Sequence, residues 1–241
     1  SDELFGGYNI YREPFSLSVF SYIPRTVKNV LISIANLIPD NVKGKSFITR
    51  GCTPIEKRYA GNAHIFKEHE KPCYMKKYDS AYSYDMVTKS YYEQAFNYDD
   101  VAKMQYIDMN TWLKGDILVK SYRMTRAHSL ELRTPFLDKK VFEIASKLTL
   151  GDKIKGRATK YMLRQAFSGL LPNDVIKREK LGYPVPIRVW LKDEIYDWAV
   201  NIVKKSNTEE YINKNEVLKL IVEHQKGKLD NSRKIWIILT F

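Results

Sequence analysis

Apolar residues recur along much of this chain at the three- and four-residue intervals of a helix face. Val27, Val30, Leu31, Ile34, Ala35 and Ile38 make one such face, with Pro24 just before it and Pro39 just after. A helix is therefore expected between the two prolines. Leu163, Ala166, Phe167 and Leu170 make a second face, closed by Pro172, and Val217, Leu218, Ile221 and Val222 a third. Residues 55–113 read as several helices parted by Pro72, Asp79-Ser80 and Asn97-Tyr98-Asp99. Asp116 fits the N-cap of a further helix. Residues 40–54, with Gly44, Gly51 and Pro54, read as a loop and as the best candidate for a domain boundary. The closing Ile235–Phe241 stretch is apolar nearly all round and is expected to be buried. No segment alternates with period two over five or more residues, so the pattern points to a mainly α chain.

Length and charge narrow this picture. A chain of 241 residues has room for a sizeable buried core. Its longest apolar run, Ile235–Leu239, is far short of the roughly 18–20 residues that span a bilayer, so no membrane association is expected. No basic stretch precedes an apolar one at the start, and Cys52 and Cys73 have no metal-ligand spacing. They read as free thiols of a cytoplasmic protein. The net charge of +12 calls for an anionic partner, either nucleic acid or a small polyanion such as ATP. Positive residues gather only moderately, in Lys153–Arg164 and Lys177–Lys192, and are not interleaved with aromatics, so nucleic acid is not the expected partner.

Three stretches carry candidate chemistry. Ser1–Tyr8 reads Ser-Asp-Glu-Leu-Phe-Gly-Gly-Tyr. Asp2 and Glu3 at a helix start either favour the helix dipole, which is the simpler reading, or hold a divalent cation through hard oxygen ligands. In the second stretch, Ala-His-Ser-Leu-Glu-Leu-Arg-Thr-Pro-Phe-Leu-Asp, Glu131 and Arg133 alternate with Leu130 and Leu132. They are expected to form a partly buried ion pair, structural as often as functional. His128 is a lone histidine and reads as structural. The third stretch runs from Lys160–Arg164 to Arg178-Glu179-Lys180-Leu181-Gly182-Tyr183-Pro184-Val185-Pro186. Lys180 precedes a stiff Gly and Pro-Val-Pro segment that can aim it at a fixed target; the plainer reading is a solvated surface lysine.

Taken together and in this order, the three stretches resemble the synthetase domain of glutamine-hydrolysing asparagine synthetases. The similarity runs from Ser1 to near Phe241. It implies the helical C-terminal portion of an α/β ATP-pyrophosphatase-type domain (adenine nucleotide alpha hydrolase-like), with most parallel strands missing. Residues 1–241 would be one partial domain. The implied reaction adenylates the aspartate side-chain carboxylate with Mg-ATP. Ammonia, released from glutamine by a separate glutaminase domain, then gives asparagine, AMP and pyrophosphate. By position, Asp2 matches a magnesium-binding aspartate and Glu3 its acidic neighbour on the cofactor side. Lys180 matches the catalytic lysine on the phosphates, and Lys160 a second lysine on the pyrophosphate side. Glu131 and Arg133 match a motif that supports the pocket.

The resemblance also implies gaps. The glutaminase domain, the Ser-Gly-Gly-x-Asp-Ser loop and a glutamate expected two residues before Ser1 are not in the chain. The isolated chain is therefore expected to be an inactive fragment, with an exposed apolar surface and a possible homodimer. The family pattern Lys-x-Asp-Lys/Arg-Met-Ser-Met-Ala is met by Lys120-Ser121-Tyr122-Arg123-Met124-Thr125-Arg126-Ala127. Tyr122 replaces an acidic residue and Arg126 a methionine. That opens two alternatives: a relative acting on another carboxylate (a sugar, peptide or β-lactam-type substrate), or a non-catalytic helical binding protein.

Overall fold

A computed structural model describes residues 1–39, 42–62, 64–180, 182 and 185–241. The described chain is mostly helical, with a single two-stranded antiparallel hairpin, Ile154–Lys155 and Ala158–Thr159. It forms two compact units, one of residues 1–63 and 84–181, the other of residues 64–83 and 182–241. Neither boundary falls in residues 40–54.

The first unit is built around one long helical run. Asp99 caps it by accepting a hydrogen bond from the Ala102 N–H at 2.9 Å. The run proceeds as Asp100–Asp108, widens into a π-helical stretch over Met109–Leu118, and continues as Val119–Ala127. The widening has a local cause. Asn110 Nδ2 and the Thr111 hydroxyl donate to the carbonyls of Tyr106 and Ile107, at 2.9 and 2.7 Å. They compete with the backbone for acceptors four residues back, which favours a wider turn. Asp116 thus lies inside a helical run and does not cap one. Its carboxylate pairs instead with Lys120 one turn on, at 3.7 Å.

The loop expected over residues 40–54 contains a helix, Lys45–Cys52. Both glycines that suggested a loop serve it. Gly44 takes a left-handed conformation at the N-cap, with φ of 96°. Gly51 allows close packing: a Cβ there would fall 2.3 Å from the Phe20 ring. The helix Arg25–Leu37 forms as expected, but of its apolar face only Ala35 is buried. Val27, Val30, Ile34 and Leu37 are open to solvent. Leu31 and Ile32 pack on Leu17, Phe20 and Cys52. Cys52 and Cys73 are both free thiols.

In the second unit, Tyr196–Lys205, Lys214–Gln225 and Ser232–Thr240 enclose Leu191, Ala199, Val203, Val217, Leu220, Ile221 and Ile235. Val217 and Ile221 are fully buried, as their spacing requires. The closing segment departs from expectation: Ile235 is fully buried, while Trp236 and Ile237 are each 39% exposed and Phe241 76%. Its helix buries one stripe only, because a helix packed on one side of a small core meets neighbours on that side alone. Among the described residues no helix is long and apolar enough to cross a membrane.

Candidate functional site

The Ser1–Tyr8 segment folds as a single helical turn, Asp2–Phe5, ended by Gly6 in the left-handed region with φ of 67°. Leu4 and Phe5 anchor it. They pack with Ala145, and the Phe5 ring meets Phe136 edge-on at 6.2 Å. Burying two such side chains contributes about 1.5–3 kcal/mol each. The anchor holds Asp2 where two lysines reach it. Lys180 Nζ donates to Asp2 Oδ2 at 2.8 Å, and Lys160 Nζ lies 2.9 Å from Oδ1. Gly7 makes this possible, since a Cβ there would sit 2.0 Å from Asp2 Oδ1 and 2.4 Å from Lys160 Cε.

Lys160 follows the hairpin and is itself in the left-handed region, with φ of 54°. That conformation is costly for a lysine and persists only where surrounding contacts hold it. The neighbouring Arg164 supplies part of that hold. Its Nε donates to the Thr159 carbonyl at 2.9 Å and its Nη1 to the Ile176 carbonyl. One guanidinium thereby ties the end of the hairpin to the helix Asn173–Lys177, which leads into Lys180.

Two ammonium groups on one carboxylate leave the cluster with an excess positive charge. Burial works to raise the Asp2 pKa, but contact with Lys180 and Lys160 and their charges outweighs it, and the net shift is downward. Asp2 is thus an anion at neutral pH. Its Oδ1 is buried and faces Lys160 as a charge, without an aligned hydrogen bond. Such an oxygen is a hard donor, and a cation would have to take the place of the Lys160 ammonium there. Among the described residues no group of three or more His, Cys, Asp or Glu side chains could hold a metal. A magnesium ion here would rest on Asp2 with phosphate and water oxygens, a donor set that suits it.

Glu3 points elsewhere. It is buried and accepts a hydrogen bond from the Tyr8 hydroxyl at 2.6 Å; Trp112 Nε1 donates to that hydroxyl at 3.3 Å. Burial first, and then the Glu3 carboxylate, raise the Tyr8 pKa, so the phenol stays a neutral donor. The Lys180 ammonium lies over the Tyr8 ring, 5.1 Å from its centroid. An open cavity of about 570 Å³ lies against Glu3, Leu4, Gln105, Met109, Phe142 and Lys153, and Asp2, Lys160 and Lys180 do not line it.

Deeper in the same unit lies a network that no sequence motif marked. Asp108 is fully buried. Its carboxylate accepts from Tyr11 at 2.6 Å, from Tyr59 at 2.5 Å, and from the Asn62 backbone and side chain at 3.1 and 2.9 Å. Burial raises its pKa to about 6 against the opposing hydrogen bonds. One signal was available: Val101, Met104, Gln105 and Asp108 share a helix face, which put a carboxylate in line with core residues.

The structure brings Asp2, Lys160 and Lys180 together, with Glu3 beside them. Glu131 and Arg133 are a different case. They do pair, at 2.5 Å, but their side chains are 73% and 82% exposed. The expected partial burial is corrected. The segment between the helix Val119–Ala127 and the turn Pro135–Leu137 is short and mostly open, so its charged side chains reach water. His128 is exposed as well. Tyr122 and Arg126, which depart from the family pattern, stack on each other, with the guanidinium 4.7 Å from the ring centroid. Leu181, Tyr183 and Pro184 of the third stretch lie outside the described residues.

Comparison with known proteins bears on this geometry. The asparagine synthase family matches residues 1–241. "Asparagine synthetase [glutamine-hydrolyzing] 1" of Bacillus subtilis is 52% identical over the whole chain, which covers 38% of that protein. "Putative asparagine synthetase [glutamine-hydrolyzing]" of Mycobacterium tuberculosis is 42% identical, again over the whole chain and 37% of its own length. The chain thus spans little more than a third of these relatives. No solved structure matches.

Proposed function

Because the chain belongs to the asparagine synthase family, we propose that Asp2, Lys160 and Lys180 form the polyphosphate-facing part of an ATP site. The parent reaction is glutamine-dependent asparagine synthesis. In it the side-chain carboxylate of aspartate is adenylated, and ammonia from glutamine displaces AMP to give asparagine. The same reading takes the chain as the helical portion of an α/β ATP-pyrophosphatase-type synthetase domain. Its support is the helical content, the single hairpin and the share of the relatives' length that the chain covers.

The observation that carries the reading is the convergence of two lysines on one half-buried carboxylate. A structural ion pair needs one cation for one anion; here the second leaves a net positive charge in a half-buried place. Phosphate oxygens would balance it. Asp2 would hold the cation that neutralises the same phosphates, and bound magnesium would supply further charge stabilisation to the leaving pyrophosphate. Lys160 and Lys180 would bind pyrophosphate and orient it. Lys180, which the family resemblance puts in the catalytic role, would bear on the charge that develops as the phosphate bond breaks. Glu3, held by Tyr8, lies one residue from this charge as a fixed neighbour. No comparable placement supports a pocket role for Glu131 and Arg133.

Calorimetric titration with magnesium pyrophosphate tests the proposal. The chain should bind it, and Lys180→Ala and Lys160→Ala should each weaken binding about tenfold or more, the loss of one charge-assisted contact. Equal binding by both variants and the unaltered chain would return the cluster to a purely structural role.

A further inference from the structure

Tyr8 makes contact with both sides of the cluster. Its hydroxyl donates to Glu3 Oε1 at 2.6 Å and accepts from Trp112 Nε1 at 3.3 Å. Its ring carries the Lys180 ammonium 5.1 Å above the centroid and meets Tyr11 edge-on at 5.5 Å. The Tyr11 hydroxyl is in turn fixed on Asp108. The hydroxyl contacts and the Tyr11 ring thus hold the Tyr8 ring, and the Lys180 ammonium lies over it.

We propose that Tyr8 is the positioning residue for Lys180, holding its ammonium at the phosphate-facing site through the ring face. The inference rests on the polyphosphate reading of the cluster. A lysine head sits on a flexible four-carbon stem and needs a fixed partner to stay aimed. Two partners are present, Asp2 and Tyr8. They respond differently when an anion arrives. Phosphate oxygens and any cation on Asp2 compete with the Asp2–Lys180 pair, because all are charges that exchange partners. The ring carries no net charge and is not displaced, so its attraction for the ammonium persists. Tyr8 thus keeps Lys180 at the site when Asp2 is otherwise engaged. The hydroxyl has a separate task, to fix the ring and Glu3, so phenylalanine should keep much of the effect on Lys180 and leucine should not.

NMR of the chain labelled at lysine Cε tests this directly. The Lys180 Hε signals, assigned by their loss in Lys180→Arg, should lie upfield of ordinary lysines because of the Tyr8 ring current. Tyr8→Phe should retain that shift; Tyr8→Leu should abolish it. In parallel, Tyr8→Leu should weaken magnesium pyrophosphate binding about three- to thirtyfold, while Tyr8→Phe stays within about threefold. Lys180 signals that hold their position in Tyr8→Leu would overturn the proposal, as would unchanged pyrophosphate binding in that variant. If no form binds pyrophosphate but the shift still follows the ring, the polyphosphate reading fails while Tyr8 stands as the residue that locates Lys180. The phenylalanine variant keeps the fold in play should the leucine variant unfold.

Discussion

In residues 64–83 and 182–241 the main core cluster is apolar: Leu191, Ala199, Val203, Val217, Leu220, Ile221 and Ile235 meet one another. Of the described residues there, His224 is the one fully buried ionisable side chain, and backbone groups satisfy it. Asn231 N–H donates to Nδ1 at 3.3 Å, which leaves Nε2 to donate to the Arg188 carbonyl at 3.0 Å. In residues 1–63 and 84–181 the core contains Glu3, Gln105 and Asp108 together with Tyr11, Tyr59 and Tyr92. Lys153 reaches into it and donates to Gln105 at 3.1 Å. The difference follows from what each core supports. An apolar cluster needs only shape and area. A carboxylate held at a fixed place and charge needs hydrogen-bonding neighbours, and those neighbours must be held in turn. The unit that carries the candidate site buries two carboxylates, Glu3 and Asp108, whereas among the described residues the buried polar side chains of the other unit, His224, Asn231 and Ser232, include no carboxylate.

The comparison breaks most readily at Ile221. Ile221→Ala removes atoms from a fully buried position among close-packed apolar neighbours. It should cost about 2–5 kcal/mol. Fluorine-labelled tryptophan separates the readouts, because Trp190, Trp198 and Trp236 lie in this unit and Trp112 in the other. The three signals should move to lower urea. A loss well under 1 kcal/mol would mean that this core is loosely packed and the contrast overstated.

Asp108 sharpens the other side. Its native pKa of about 6 lies above the ordinary 3.8. Below the ordinary value both native and unfolded chains are protonated, and the stability linked to this group is fully present. Between 3.8 and about 6 the native chain holds the proton that the unfolded chain has lost. Stability therefore falls as pH rises across this window, and is flat above it. The span corresponds to about 3 kcal/mol at most. Asp108→Asn cannot ionise, yet its amide oxygen still accepts from Tyr11 and Tyr59. The stability difference between the unaltered chain and Asp108→Asn, from urea unfolding at several pH values, should therefore decline through the window. A difference that does not vary with pH would show that the tyrosines fully offset the burial.

These two residues also show what the sequence made legible. Ile221 follows from periodicity, because a helix that packs on one side repeats its apolar residues every three or four positions. The Asp108 network does not, since Tyr11 and Tyr59 lie 97 and 49 residues away along the chain. The same distance problem applies to the site. Lys180 and Asp2 are 178 residues apart, and only the resemblance put them in one pocket. Local rules failed in two ways. Gly51 looked like a helix breaker and is a contact for Phe20, a tertiary demand; Asp116 looked like a cap and sits within a helical run, paired locally with Lys120.

The smallest expected effect concerns Glu131 and Arg133, a pair of the site unit that stands in water. Their 2.5 Å separation invites comparison with the Asp2 cluster, but exposure decides the energetics. Solvent screens the pair, and holding two mobile side chains together costs entropy, so the coupling should be about 0–1 kcal/mol. A double-mutant cycle of Glu131→Gln and Arg133→Gln, read by urea unfolding, measures it without the bias of single losses. The sum of the single effects should nearly equal the double. Asp2 should behave otherwise: removing it leaves two half-buried ammonium groups facing each other without a counterion. A Glu131–Arg133 coupling well above 1 kcal/mol would mean that the pair is shielded from water in solution, and would restore the partial burial expected from the alternation with Leu130 and Leu132.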